Sequence, residues 1–313
     1  MGHGDGMIAS RHRIGSVRRC LLMLPVLLAS CVSPGGGPRV SAPPMRTPAP
    51  VSPPAPAPVP AGPETLQLRG EARQGGLMRG LAPAGTRMLM LDGAPVPFDA
   101  EGNFIIAFDR DAPAAATLVA TLANGETQTR TFGVAPGDWR IERVNASISA
   151  GVPSEEFQRR RAGELARIAA ARARNNRSEG WRQGFIWPVK ARISGVFGSQ
   201  RIYRGTPGSY HSGLDLAGGA GTVYVAPADG VVTLAVDEPF TLEGRLLMID
   251  HGMGLNSAFL HSERLLVKEG DVVRQGQPIG IIGATGRVTG PHLHWSMKWG
   301  PARIDPQPLL PTE

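Results

Sequence analysis

The chain has 313 residues, 42% of them hydrophobic and 5% aromatic, with 41 glycines and 29 prolines. That length allows two compact domains plus tails, and the composition excludes a helical bundle in favour of strands joined by many turns. A net charge of +7 suits an anionic envelope polymer or membrane surface. No recognisable nucleic-acid motif accompanies the arginines, so nucleic acid is not an expected partner.

Arg11, Arg13, Arg18 and Arg19 precede the apolar run CLLMLPVLLAS. The run has the length of a signal-peptide core and is too short to span a bilayer as a mature helix. It ends in Leu28-Ala29-Ser30-Cys31, which resembles the lipobox of bacterial lipoproteins. The resemblance implies a signal peptide over 1–30, starting at Met1 or Met7, and a membrane anchor through lipid on Cys31. Val32 rather than Asp after that cysteine leans toward the outer membrane, with the protein facing the periplasm. Cys20 and Cys31 are the two cysteines, so the folded part has neither a disulfide framework nor a thiolate metal site. Residues 31–63, dominated by Pro, Ala, Gly and Ser, read as an extended tether.

Residues 64–149 read as a small β-sandwich. Turns are expected at Asp92-Gly93 and at Asn124-Gly125, each between apolar or Thr-rich runs. No catalytic constellation falls within it. Residues 150–184 form a helical linker: Ser154 is placed to cap a helix, with Glu155 and Glu156 in its first turn. Phe157, Leu165, Ile168 and Ala169 punctuate its Arg/Ala-rich stretch, whose arginines read as a solvated face.

Residues 185–313 are strand-rich and hold five of the seven histidines. In His292-Leu293-His294, a strand projects both imidazoles to one face. Such a pair can supply a metal ligand and a neighbouring base. Upstream, His211 and Asp215 lie four residues apart among Gly208 and Gly213, which permit tight turns. His211, Asp215 and one histidine of the pair make the three protein ligands of a catalytic zinc, with one position left open. His261 lies between the two motifs, and hairpins at Val267–Val273 and Gly276–Gly280 bring it back toward them. His251, in Asp250-His251-Gly252, reads as a structural strand-end residue. Arg201 and Tyr203 are candidates for a groove wall, and Trp295 and Trp299 for core and rim.

The ordered strings SGVFGSQR, HSGLDLA, APADGVV, IDHGMGL, FLHS, VKEGDVVRQGQPIGIIGATGRVTGPHLHWSM and the closing Asp305-Pro306 resemble the lysostaphin-type (LytM-like) zinc endopeptidases. The resemblance covers about two-fifths of the chain. It implies a mainly β protein whose C-terminal antiparallel, barrel-like peptidase domain follows a small β-sandwich and a short helix. It further implies Zn2+ held by His211, Asp215 and His294, with His292 as general base. His261 is implied as second catalytic histidine, protonated to stabilise the oxyanion. The implied substrate is peptidoglycan, in its stem peptides or cross-links, and a regulatory envelope protein is a further partner. An alternative is a non-enzymatic envelope protein that activates or recruits cell-wall amidases, though relatives of that kind usually lack zinc ligands. A biotinyl- or lipoyl-type carrier would need a lysine at a hairpin tip, whereas Lys298 follows His294 along a strand.

Overall fold

In the computed structural model, which describes residues 62–147 and 154–312, short strands closed by glycine turns dominate. The expected signal peptide, Cys31 and the expected tether up to residue 61 lie outside the described residues. Among the described residues no helix is long and apolar enough to cross a membrane.

The first strands are β1 (Gln67–Arg69), β2 (Leu77–Leu81), β3 (Thr86–Leu91), β4 (Ala94–Pro95), β5 (Asn103–Ala107), β6 (Ala115–Leu122) and β7 (Thr127–Gly133). They form two antiparallel sheets, ordered β1-β2-β5 and β4-β3-β6-β7. Asp92 and Gly93 both take positive φ, 48° and 81°, as a two-residue hairpin of the primed type requires. Gly125 does the same at 88°, closing the β6–β7 hairpin that Asn124-Gly125 predicts. Along β6 the pattern alternates, burying Ala116, Leu118 and Ala120 against Phe104 and Ile106 of β5.

The chain then runs through β8 (Ile141–Val144) and α1 (Glu155–Arg172). Ser154 caps α1, its hydroxyl accepting the Phe157 N–H at 3.1 Å. The helix buries Glu164, Ile168 and Ala171, while Leu165 is 49% exposed. Spacing explains this difference from the apolar positions of the sequence: 164, 168 and 171 share one face at helical period, and Leu165 points away from it. Ile168 and Ala171 pack on Leu246, Met248 and Ala258.

The remaining strands are β9 (Ile193–Gly195), β10 (Gln200–Tyr203), β11 (Thr206–Pro207), β12 (Leu214–Leu216), β13 (Val223–Val225) and β14 (Gly230–Ala235). They continue with β15 (Arg245–Asp250), β16 (Leu255–Leu265), β17 (Val272–Val273), β18 (Pro278–Ile282), β19 (Leu293–Trp299) and β20 (Ala302–Ile304). Most join one sheet ordered β17-β14-β15-β16-β19-β12-β9, with β13, β18 and β20 paired off that path. Strand β19 buries Leu293, Trp295, Met297 and Trp299 on one face and turns His294, Ser296 and Lys298 to the other. Trp295 stacks on Phe259 at 6.3 Å and Phe259 on Tyr224 at 5.5 Å, each ring contributing a few kcal/mol by leaving water. Both tryptophans of β19 belong to the core.

One pairing was not foreseen. Strand β8 runs parallel to β10, with Glu142 opposite Arg201 and Arg143 opposite Ile202. The N-terminal β region is thereby hydrogen-bonded to the part of the chain that carries the histidines.

Candidate metal centre

Register builds the centre. Strands β12 and β19 are antiparallel with Asp215 directly opposite His294, so the carboxylate and imidazole meet across the ladder. His211, just before β12, is held by its N–H to the Ser199 carbonyl (2.8 Å) and its carbonyl to the Gly198 N–H (2.8 Å). The resulting separations are 2.8 Å for His294 Nδ1 to Asp215 Oδ1, 3.1 Å for His211 Nε2 to Asp215 Oδ1, and 3.1 Å for His211 Nε2 to His294 Nδ1. These three residues form a group able to hold a metal ion.

Glycine makes room for this convergence by lacking a side chain. A Cβ at Gly213 would stand 2.6 Å from His294 Nε2, and one at Gly195 would stand 2.4 Å from Asp215 Oδ2. Neither glycine has a positive φ, so Gly213 serves close approach rather than the tight turn its position suggests.

Protonation tests whether a cation fits. His211 Nδ1–H donates to the Val196 carbonyl at 3.0 Å, which leaves the Nε2 lone pair pointing into the centre. One proton on His294 Nδ1 can serve Asp215 Oδ1 or His211 Nε2, and those two acceptors lie 3.1 Å apart. A positive charge is needed between them, from a second proton or a metal ion. Two imidazole nitrogens and one carboxylate oxygen are the usual donors for zinc, so the residues fit that ion.

The electrostatics agree. Burial works against a proton on His211, but the hydrogen bond and charge of Asp215 outweigh it and raise its pKa. Burial alone would raise the Asp215 carboxyl; hydrogen bonds from His211 and His294 reverse this and hold it well below the usual carboxylate range. For His294 burial prevails, and its pKa is lowered.

His292 and His261 border this centre. His292 Nδ1–H donates to the Gly290 carbonyl at 2.8 Å, and its Nε2 lies 3.6 Å from Asp215 Oδ1. His261 occupies a bulge of β16, where Leu260 and His261 together oppose one residue of β15. Its φ is +65°, its Nδ1–H donates to the Thr285 carbonyl at 2.9 Å, and its ring lies 5.3 Å from that of His292. Burial above all lowers its pKa. His251 stands apart: fully buried, it donates and accepts between the Asp229 carbonyl (2.7 Å) and Ser257 Oγ (2.8 Å). Burial lowers its pKa to about 4, and a neutral structural role follows.

A cleft of about 790 Å³ opens beside the centre, lined by Arg201, Tyr203, Tyr210, His211 and Asp215 together with Arg140 and Glu142 from the β8 region. Arg201 Nε donates to Glu142 at 2.8 Å across that wall. Sequence reasoning saw no chemistry in Arg140 or Glu142. It also missed Val196, Thr285 and Gly290, which act through backbone carbonyls that any residue type supplies.

An antiparallel β-sheet bearing a His–Asp–His group with flanking imidazoles is the frame of a candidate metal centre of the hydrolytic type. Residues 209–306 match the profile of Peptidase family M23, so the C-terminal part of the chain is an M23, LytM-type, peptidase domain. It is 40% identical over 114 residues to the peptidoglycan DD-endopeptidase ShyA of Vibrio cholerae, covering 36% of this chain and 26% of that protein. It is 39% identical over 128 residues to the DD-carboxypeptidase/endopeptidase Mpg of Neisseria meningitidis, covering 40% and 27%. The match thus spans about a quarter of the length of these relatives. A crystal structure from Pseudomonas aeruginosa assigned to peptidase M23 is similar at a TM-score of 0.58 and 27% identity, covering 77% of this chain and 95% of that one. That likeness extends beyond residues 209–306.

Proposed function

We propose that this protein is a zinc-dependent endopeptidase that hydrolyses amide bonds in the stem peptides or cross-links of bacterial peptidoglycan. The observation that carries the reading is the meeting of His211 Nε2, Asp215 Oδ1 and His294 Nδ1 within hydrogen-bond distance of one another, beside two further imidazoles. The names of the related endopeptidases support the substrate class.

When bound, zinc supplies a Lewis acid that acidifies water and polarises a carbonyl at neutral pH. The chain's own residues do the rest. His292, with Nδ1–H committed to Gly290, offers an unprotonated Nε2 as base to the attacking water. His261, likewise committed through Nδ1 to Thr285, becomes a donor to the developing oxyanion once Nε2 takes up a proton. The two rings give that proton two places to rest on its way to the leaving amine. A non-enzymatic activator of amidases has no use for this ligand set and is not favoured. Incubating the zinc-loaded protein with purified sacculi should release muropeptides with new amino termini, and mass analysis of those termini identifies the bond. Intact sacculi after incubation with metal-replete protein would refute the reading.

The same proposal includes export as a lipoprotein acylated on Cys31, held at the outer membrane and facing the periplasm, with a regulatory envelope protein as partner. The Leu28-Ala29-Ser30-Cys31 string supports it. Cells fed labelled palmitate should label the wild-type protein and not Cys31→Ser; equal labelling of both would overturn the anchor.

A further inference from the structure

His261 stands in a backbone conformation that side-chain-bearing residues rarely adopt, so something must hold it. Its N–H donates to the Glu243 carbonyl and its Nδ1–H to the Thr285 carbonyl, both at 2.9 Å. The two holds are coupled, because a Cβ on Gly244 would lie 2.3 Å from the Thr285 carbonyl oxygen. The segment at 240–244 is itself closed by paired backbone bonds between Phe240 and Gly244, 2.9 and 3.0 Å.

Helix α1 grips this segment by one guanidinium and one carboxylate. Arg161 donates to both oxygens of Glu243, Nη1 at 2.6 Å and Nη2 at 2.7 Å, and to Glu164 at 3.1 Å. The other oxygen of Glu164 accepts the Thr241 N–H at 2.7 Å and its hydroxyl at 2.6 Å. The Arg161, Glu164 and Glu243 side chains are only 18%, 7% and 16% exposed. A bidentate pair so shielded fixes geometry as well as charge.

We propose that Arg161 is a positioning residue: through Glu243 it locks residues 241–244 so that their backbone keeps His261 in its bulged, left-handed conformation beside His292. The proposal rests on the endopeptidase reading for its kinetic consequence and stands on its own for its structural one. The test uses Arg161→Met and Glu243→Gln in the full chain, with thermal melts identifying the folded variants. The His261 amide should exchange with deuterium faster in both, kcat on muropeptides should fall on the order of 10- to 100-fold, and KM and bound zinc should stay unchanged. The double variant should be no worse than either single one. Unaltered exchange at His261, a kcat within twofold of wild type, or losses in KM and zinc that match the loss in kcat would each overturn it. If the wild-type protein cleaves nothing, the endopeptidase reading fails, while the exchange measurement still decides the clamp.

Discussion

Alanine at His211 or at Asp215 is expected to remove zinc and hydrolysis together. Each substitution leaves two donors where a catalytic zinc takes three. Losing Asp215 also deletes the carboxylate that pairs with both His211 and His294. Stoichiometric zinc in the wild type should fall to background in the variants, and muropeptide release should drop by about 10³-fold or more. A chelator should reproduce the loss in the wild type and added zinc should restore it. The β12–β19 ladder is made by the main chain, so both variants should keep their strand signature in circular dichroism. Full turnover by a metal-free variant would leave the proposed chemistry without a basis.

His292→Ala is expected to separate binding from turnover. The His292 Nε2 lies 3.6 Å from Asp215 Oδ1, farther than the 2.8 and 3.1 Å of the three converging groups, and its removal leaves all three in place. Zinc content should therefore be retained while kcat falls by about 10²- to 10⁴-fold, the usual share of a general base. Loss of metal with this substitution would mean that His292 and not His294 completes the ligand set.

Local rules made much of the fold legible. The dipeptides Asp92-Gly93 and Asn124-Gly125 name their turns because few residues accept positive φ there, and Ser154 names a helix start because its hydroxyl replaces a missing backbone acceptor. The candidate site was legible in its side chains, since imidazoles and a carboxylate have few inexpensive reasons to gather. Its support was not. The bulge at His261 depends on how β16 registers against β15, and no residue type announces an extra residue in a strand. Val196, Thr285 and Gly290 contribute carbonyls, which are common to the whole chain. Burial of Glu164 contradicts its polarity and makes sense only once Thr241 and Arg161 surround it. The β8–β10 pair joins residues about sixty positions apart, beyond the reach of any local pattern.

That parallel pair also bears on how the molecule can be divided. Backbone bonds from Gln200 to Arg140 and from Arg204 to Val144 give β10 its only neighbour on that side among the described residues. A fragment trimmed to residues 185–313, which keeps β10 and drops β8, would uncover a row of unanswered amide and carbonyl groups on the lip of the cleft, a natural seat for self-association. The smallest piece that keeps this lip sealed begins upstream of Arg140.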